Sequence, residues 1–269
     1  MIIFNCDAVT LDDAWFQLVI NALHIGRDFK IDEGSFAGAT RKEFDFVVVH
    51  ISRPFERNSD GFPLIPVMPE GSTVPPPVDD AYIAQYAPYI LGGEVEDGES
   101  YTYGQRLNKA HVSRFDDFLF QDLNIYKCVD GVPALERIKS GNSEKFLDQI
   151  ELACWTYKNN GHRNNQMCLQ VAQPTDMMLL DPPCLRHIDT RIQDGKLHFF
   201  PYFRSWDLWS GFPANVAGIS MLQEHMALEI GVEQGEMICT SKGLHLYDYA
   251  VDFAEMRCMI SEKSTSENN

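Results

Sequence analysis

Two consecutive prolines, Pro182 and Pro183, stand directly before Cys184 and constrain the backbone more than any other stretch of this chain. Each proline ring fixes φ and removes a backbone donor, so neither residue can continue a helix or an inner strand ladder. The segment therefore predicts a stiff entry into a β-strand that starts at the cysteine. Such an entry suits a nucleophile, because it holds the thiol in one direction.

The residues that follow predict a β-hairpin over 185–203. Asp194-Gly195 separates two strand-like runs, and this pair favours a two-residue turn in which φ is positive. The second strand ends at Arg204-Ser205-Trp206-Asp207, where polar side chains can converge on whatever the Cys184 thiol attacks.

The rest of the chain predicts an α+β fold, a mixed twisted sheet covered by helices. Apolar residues at helical spacing predict helices over 11–25, 79–91, 143–157 and 214–230. Runs rich in apolar residues predict further strands over 43–51 and 166–172. The proline-rich stretch 54–77 predicts a long irregular loop.

Length and charge limit the classes of function. A chain of 269 residues, 45% of them hydrophobic, can bury one large core, so we expect a single domain over 1–269 with a disordered tail at 260–269. The net charge of −17 argues against binding a polynucleotide, which requires a basic face. An anionic mononucleotide would have to be held by a few concentrated arginines. We expect a cytoplasmic protein without membrane contact, since the sequence has neither a long apolar run nor a signal peptide.

The cysteines predict free thiols. No Cys-x-x-Cys pair occurs and the number is odd, so neither a disulfide framework nor a zinc site is indicated, and we expect no bound metal. The seven are Cys6, Cys128, Cys154, Cys168, Cys184, Cys239 and Cys258.

Five ordered motifs resemble the thymidylate synthases and their relatives, the pyrimidine-nucleotide hydroxymethylases. They are Pro182-Pro183-Cys184, Asp194-Gly195-Lys196-Leu197, Arg204-Ser205-x-Asp207, Gly211-x-Pro213-x-Asn215 and His245-x-Tyr247. The surrounding residues are more similar to the short archaeal or phage-type branch. Upstream, the resemblance is limited to Tyr103-Gly104 and Asp148-Gln149-Ile150.

The resemblance implies one-carbon transfer to C5 of a pyrimidine mononucleotide. Cys184 would add to C6, while Arg204 would favour the thiolate and hold the phosphate together with Ser205. Tyr103 would assist removal of the C5 proton. Outside these motifs, a cysteine is by default a buried structural residue and an Arg-Ser pair is more often a solvated turn, so the roles depend on the motifs.

The same resemblance implies which residues bind the base and sugar. Asp207 and Asn215 would read the pyrimidine, and His245 and Tyr247, on one face of a strand, would bind the 3′-hydroxyl. An asparagine complements N3–H and O4 of uracil, whereas relatives that act on cytosine usually carry aspartate there, so dUMP is favoured over dCMP. Asn215 could also serve as a helix N-cap.

The resemblance further implies an obligate homodimer that forms through the sheet and shares its active sites. Arg163 and Arg41 are candidates for further phosphate ligands, although an exposed surface role explains either equally well. The one-carbon donor would be 5,10-methylenetetrahydrofolate or methylene-tetrahydromethanopterin. Glu70, with Glu56 as the second choice, replaces a catalytic glutamate whose usual motif this chain lacks.

Departures from the family pattern leave the product open. Leu185 follows Cys184 where most members have histidine, and Arg186 has no assigned role. No tryptophan occurs between Asp79 and Tyr103, and the segment after Tyr247 is short, so loop 54–77 is the candidate lid. We expect dTMP as product, with hydroxymethylation of dUMP or dCMP as the alternative and a non-catalytic nucleotide-binding relative as a third.

Overall fold

A computed structural model describes residues 1–32, 36–111 and 146–260. The strands are β1 Ile3–Ala8, β2 Arg27–Lys30, β3 Thr40–Glu43, β4 Phe46–Ile51, β5 Ala110–His111, β6 Phe146–Leu147, β7 Cys168–Gln170, β8 Leu185–Gln193, β9 Lys196–Phe203, β10 Trp206–Asp207, β11 Glu233–Ser241 and β12 Leu244–Tyr247. The α-helices are α1 Leu11–Ile25, α2 Asp80–Leu91, α3 Tyr103–Asn108, α4 Gln149–Asn160, α5 Gly211–Ile230 and α6 Asp248–Cys258. A 3₁₀-helix spans Pro174–Met178.

The main sheet has six strands in the order β1-β4-β11-β9-β8-β7. The pairs β1/β4 and β11/β9 are parallel, and the other neighbours are antiparallel. Because both kinds of pair occur in one sheet with helices packed on it, the fold is the mixed α+β arrangement that the sequence predicts.

The core lies between one face of this sheet and helices α1, α2 and α5. Alternate residues of β9, including Phe199 and Phe203, are fully buried beneath α5, whose length is mostly buried as well. Side chains on the opposite face of the sheet, such as Phe200, Tyr202 and Ile238, remain partly exposed. The sheet therefore has one covered face and, within the described part of the chain, one open face that carries these apolar residues among polar and charged ones such as His50 and Glu236.

A second, four-stranded sheet in the order β10-β12-β3-β2 brings distant polar residues together. Asp207 and Glu43 flank His245 on neighbouring strands, and Arg41 is the register partner of Tyr247. Strand pairing, rather than sequence proximity, therefore gathers these five residues.

The hairpin prediction is confirmed. Strands β8 and β9 pair along their length, and the turn residues Asp194 and Gly195 have φ of 51° and 75°. Helix α1 has the predicted bounds, and α2 begins one residue later than predicted because Asp79 is its N-cap, accepting a hydrogen bond from Tyr82 N at 2.7 Å.

Other predicted bounds are corrected by capping and turns. The strand predicted over 43–51 is interrupted where Asp45 accepts hydrogen bonds from Ile2 N and Arg27. Helix α4 begins at Gln149 because Asp148 caps it, and the predicted start at 143 lies outside the described residues. The strand predicted over 166–172 is reduced to Cys168–Gln170.

No described helix is long and apolar enough to cross a membrane. The predicted tail is described only at residue 260, and Cys128 also lies outside the described residues.

Candidate active site

Cys184 lies at the mouth of the hairpin, opposite Arg204. Its carbonyl accepts a hydrogen bond from Arg204 N at 2.9 Å, and the ladder shifts register between Leu185 and His187. The Cys184 thiol is half-buried, whereas Cys6 and Cys239 are almost fully buried. The Pro-Pro entry and the strand end thus leave this thiol within reach of solvent.

The Arg204 guanidinium is oriented by the two proline carbonyls that precede the cysteine. Its Nε donates to Pro183 O at 3.2 Å, and one Nη donates to Pro182 O and lies 3.4 Å from Asp181 Oδ1. The Asp181 side chain is 75% exposed, so water screens that ion pair. The cation is therefore held beside the cysteine mainly by backbone acceptors.

A second arginine holds the same loop. Arg186 Nη1 donates to Pro183 O at 3.0 Å and lies 3.4 Å from Asp176 Oδ2. Asp176 is 1% exposed and also binds Arg106 at 3.0 Å, so it anchors two guanidiniums behind the nucleophile. Sequence reasoning left Arg186 unassigned and missed Arg106 and Asp176, because no motif marks a buried ion network.

Burial and charge act in opposite directions on the thiol. Burial raises the pKa of Cys184 above its ordinary value, Arg204 lowers it, Asp181 raises it, and Arg186 and Arg41 lower it. Burial is the largest of these effects, so the thiol is mainly protonated at neutral pH. Its reactivity therefore depends on how closely the cations are held.

Arg204 also lines a cavity of about 470 Å³ together with Arg41 and Ser205. Arg41 pairs with Glu43 at 2.6 Å, and its buried Nε makes no hydrogen bond within the described part of the chain. Lys242 lies in the same lining. Three of the four predicted phosphate ligands thus meet in one cavity, where positive charge is concentrated in an otherwise acidic chain.

His245 presents an unused acceptor. Its Nδ1 faces Gly243 O at 2.8 Å, which places the proton on Nδ1, and burial lowers the pKa of the ring to about 4. The buried Nε2 has no partner among the described residues, so it offers a lone pair. Tyr247 packs edge-on against His245 at 4.5 Å and stacks on Phe36 at 4.3 Å.

Asn215 lies inside helix α5, not at its N-cap, so the capping interpretation of this residue is wrong. Its Oδ1 accepts from Trp206 Nε1 at 2.9 Å, and its Nδ2 donates to the hydroxyl of Tyr86. The N-cap is Ser210. The Asp207 carboxylate accepts from Trp209 N, Ser210 N, Ser210 Oγ and Gly211 N at 2.9–3.1 Å and so holds the turn that leads into the helix. These four contacts also extend α5 to Gly211, ahead of the predicted start at 214.

Tyr103 and Tyr86 are two of the four phenols that lie within electrostatic range of the Cys184 thiol; the others are Tyr101 and Tyr247. The hydroxyl of Tyr103 accepts a hydrogen bond from Leu185 N at 3.3 Å, and burial raises the pKa of Tyr103 well above its usual value. Burial likewise raises the pKa of Tyr86, and the Cys184 charge adds to both shifts. Both phenols therefore stay protonated and can donate hydrogen bonds beside the thiol.

Two predicted site residues, Arg163 and Glu70, are not brought together with Cys184 in the structure. Arg163 lines a separate cavity of about 460 Å³ with Arg191 and the turn Asp194-Gly195. Glu70 is exposed, and no contact within the described residues joins it to Cys184. Glu56, the second choice, is paired with Arg53 at 2.9 Å.

No group of three or more His, Cys, Asp or Glu side chains in the described ranges has a geometry that could hold a metal ion. The polar groups around Cys184 are instead donors and acceptors suited to an organic anion. The site combines the Cys184 thiol, a nearby cluster of arginine guanidiniums, and the Asn215 amide, which is held by two hydrogen bonds.

Comparison with known proteins gives a consistent result. A family model described as thymidylate synthase matches residues 98–266. A protein of Methanosarcina mazei named "Putative thymidylate synthase" is 27% identical over 252 residues, which cover 92% of this chain and 91% of the relative. One of the same name from Methanothermobacter thermautotrophicus is 25% identical over 94% of this chain and 96% of the relative. A "Thymidylate synthase" of Corynebacterium aurimucosum is 36% identical over 106 residues, 39% of each chain.

Proposed function

The chain belongs to the thymidylate synthase family of one-carbon transferases, and from this premise we propose that it converts dUMP to dTMP through a covalent Cys184 adduct. One observation carries the proposal. The half-buried Cys184 thiol shares a backbone rung with Arg204, whose guanidinium also lines the cationic cavity. Arg204 is therefore adjacent to the Cys184 nucleophile and is also a candidate ligand of the phosphate.

The thiolate of Cys184 adds to C6 of the uracil ring, which makes C5 nucleophilic. C5 would then bond to the methylene carbon of the one-carbon donor as one C–N bond of the donor breaks. Loss of the C5 proton to a base would break the second C–N bond and leave an exocyclic methylene, and hydride added to that methylene would expel the Cys184 thiolate from C6. Arg204 stabilises the thiolate at the start and end of this sequence, since its positive charge lowers the thiol pKa. Burial keeps the Tyr103 hydroxyl protonated. Tyr103 therefore assists removal of the C5 proton by donating a hydrogen bond to the group that takes this proton.

The phosphate binds in the cavity of Arg41, Arg204 and Ser205, where charge-assisted hydrogen bonds are available. The unpartnered Nε2 of His245 accepts a hydrogen bond from the 3′-hydroxyl, and Tyr247 lies beside it. A neutral imidazole suits this role, because only the neutral ring has an acceptor.

Asn215 binds N3–H and O4 of uracil with the remaining lone pair and N–H of its amide. The Asp207 carboxylate accepts hydrogen bonds from the start of α5, so its part in reading the base is to hold that helix in register with Asn215. Glu70 would act as the general base only after loop 54–77 moves towards the thiol.

A reduced folate or tetrahydromethanopterin supplies the one-carbon unit and, for dTMP, the hydride. The stacked tyrosines of α2 fit a planar ring system, because Tyr82, Tyr86 and Tyr89 lie with ring centroids 6.1 and 6.3 Å apart and Tyr82 is half-exposed. These residues would hold the pterin of either donor next to the nucleotide site.

We also propose a homodimer formed through the open face of the main sheet. Phe200, Tyr202 and Ile238 leave an apolar surface there that a second copy would cover. Arg163, which lines a cavity separate from that of Arg204, would then reach the phosphate bound by the partner subunit.

Formation of 5-hydroxymethyl-dUMP is the second candidate. It is favoured by the tyrosines at 82, 86 and 89 in a segment without tryptophan, since phenol hydroxyls can retain water near C5. Water reaching the transferred methylene before hydride would give the hydroxymethyl product.

The test is incubation of the protein with 5-fluoro-dUMP and 5,10-methylenetetrahydrofolate, followed by intact-mass measurement. We expect a mass gain equal to the nucleotide plus the folate, lost in Cys184→Ala. No covalent gain with either pterin donor would contradict catalysis and favour a binding-only protein. Mass spectrometry of the product from dUMP separates methyl from hydroxymethyl.

A further inference from the structure

The Asn215 amide is held between two groups of different hydrogen-bonding character. On one side Trp206 Nε1 lies 2.9 Å from Asn215 Oδ1, and on the other the Tyr86 hydroxyl accepts from Asn215 Nδ2. The indole N–H can only donate, so the amide oxygen, not the amide nitrogen, must face it. One orientation of the amide is thereby fixed by chemistry.

Rotating the amide by half a turn would be costly. The NH₂ group would then face the indole N–H, and a donor on a residue that is 2% exposed would lose its partner. An unmade hydrogen bond at a buried donor corresponds to a factor of about 5 to 150 in an equilibrium constant. The Tyr86 hydroxyl would tolerate rotation, because it can donate as well as accept, so Trp206 supplies most of the preference.

Both neighbours are themselves held rigidly. The Trp206 ring stacks on Phe203 with centroids 3.9 Å apart and planes 4° apart. Tyr86 packs so closely on Gly218 of α5 that a Cβ there would lie 3.1 Å from its ring. Neither group can follow the amide if the amide rotates.

This matters because uracil and cytosine present opposite patterns at positions 3 and 4. Uracil offers N3–H and the acceptor O4, whereas cytosine offers the acceptor N3 and an exocyclic N–H. A freely rotating asparagine could satisfy either base by exchanging its oxygen and nitrogen.

We propose that Trp206, supported by Tyr86, is a specificity-determining positioning residue that locks Asn215 in the orientation complementary to uracil. The inference rests on the proposed function and adds the residue that makes the asparagine selective. In the locked state Oδ1 accepts from N3–H and the free N–H of Nδ2 donates to O4. Cytosine would place donor against donor and acceptor against acceptor.

The test compares dUMP and dCMP as substrates of Trp206→Phe, with Trp209→Phe as the matched control. Trp209 is 4% exposed in the same segment, packs on Trp15, and makes no hydrogen bond to the Asn215 side chain among the described residues. We expect Trp206→Phe to raise the dCMP-to-dUMP ratio of kcat/KM by about tenfold, mainly through a lower KM for dCMP, since that ratio reflects loss of one buried hydrogen bond. The control should keep the wild-type ratio.

If Trp206→Phe fails to fold, replacing Trp206 with benzothienylalanine, an isostere without the N–H, gives the same comparison with the ring packing retained. If either Trp206 variant keeps the wild-type dCMP-to-dUMP ratio of kcat/KM, Trp206 does not fix the Asn215 orientation. A preference of the wild-type protein for dCMP would also contradict the proposal. Wild-type protein without activity on either nucleotide contradicts the proposed function itself. The two failures are therefore distinguishable.

Discussion

Cys184 and Cys239 belong to neighbouring parts of the same fold but have opposite surroundings. Cys239 lies in the middle of β11, opposite Val49 of β4, and its side chain is fully buried. Burial alone raises the pKa of Cys239 far above its usual value. At Cys184 burial also raises the pKa, but Arg204, Arg186 and Arg41 all oppose it.

The difference shows what makes one thiol of this chain a nucleophile. A mid-strand position is enclosed by apolar neighbours, which leaves no room for a guanidinium or a ligand. A position before the first residue of a strand keeps solvent access, and the irregular segment that precedes it supplies carbonyls such as Pro183 O to hold cations. Location in the sheet, rather than residue type, separates the two.

The largest difference in activity should appear when each of the two cysteines is replaced in turn by alanine. Cys184→Ala should lower kcat for dUMP by at least about 10⁴-fold, because no other group can add to C6. Cys239→Ala should leave kcat within about twofold and lower the free energy of unfolding by about 1–2 kcal/mol, since it creates a small cavity. Steady-state kinetics and urea unfolding measure both, and comparable activity loss in the two variants would contradict the comparison.

The second largest effect on activity should come from removing the positive charge of Arg204, which serves both the thiol and the phosphate. Arg204→Met should lower kcat/KM for dUMP by about 10²- to 10³-fold, because it removes a phosphate ligand and raises the thiol pKa together. Arg204→Lys should recover part of this loss through its charge, but not the bonds to two carbonyls. If Arg204→Met alkylates at Cys184 as fast as wild type at pH 8, the cation does not distinguish this thiol from Cys239.

Arg186 and Asp181 have opposite effects on the pKa of Cys184, because one is a cation and the other an anion. Arg186→Met should raise the Cys184 pKa and slow iodoacetamide modification at pH 8 by about three- to tenfold. Asp181→Asn should lower the pKa and speed modification by about twofold, a smaller effect because that carboxylate is exposed. Since burial raises the wild-type pKa above the ordinary value, the rate should still be rising at pH 9.

Mass-resolved alkylation from pH 7 to 9 follows the two variants side by side. Both rates moving in the same direction would show that packing, not charge, controls the thiol. Arg106 keeps Asp176 paired when Arg186 is changed, so the buried carboxylate is not left alone.

The smallest effect should be at Ser205. Ser205 lines the cationic cavity, and Ser205→Ala should weaken dUMP binding by about three- to tenfold through loss of one hydrogen bond. The Cys184 alkylation rate should stay at the wild-type value, because no charge changes. Calorimetric titration with dUMP measures the affinity, and unchanged affinity would place the phosphate outside this cavity.

Sequence reasoning succeeded where the determinants are local. The turn at Asp194-Gly195 was predictable because its residues favour positive φ, and the opposition of Cys184 and Arg204 follows from the hairpin it closes. The missed bounds were set by contacts between segments. One example is Asp45, which interrupts a strand because Ile2 and Arg27 bind it.

The sequence by itself determined the stiff Pro-Pro entry, the hairpin and the thiol at its mouth, since backbone dihedral preferences act between adjacent residues. Only the tertiary structure decided which charges oppose the burial of that thiol and which way the Asn215 amide points. Asp176, Tyr86 and Trp206 act there through contacts between separate elements, and such contacts leave no periodic or local pattern in a single chain.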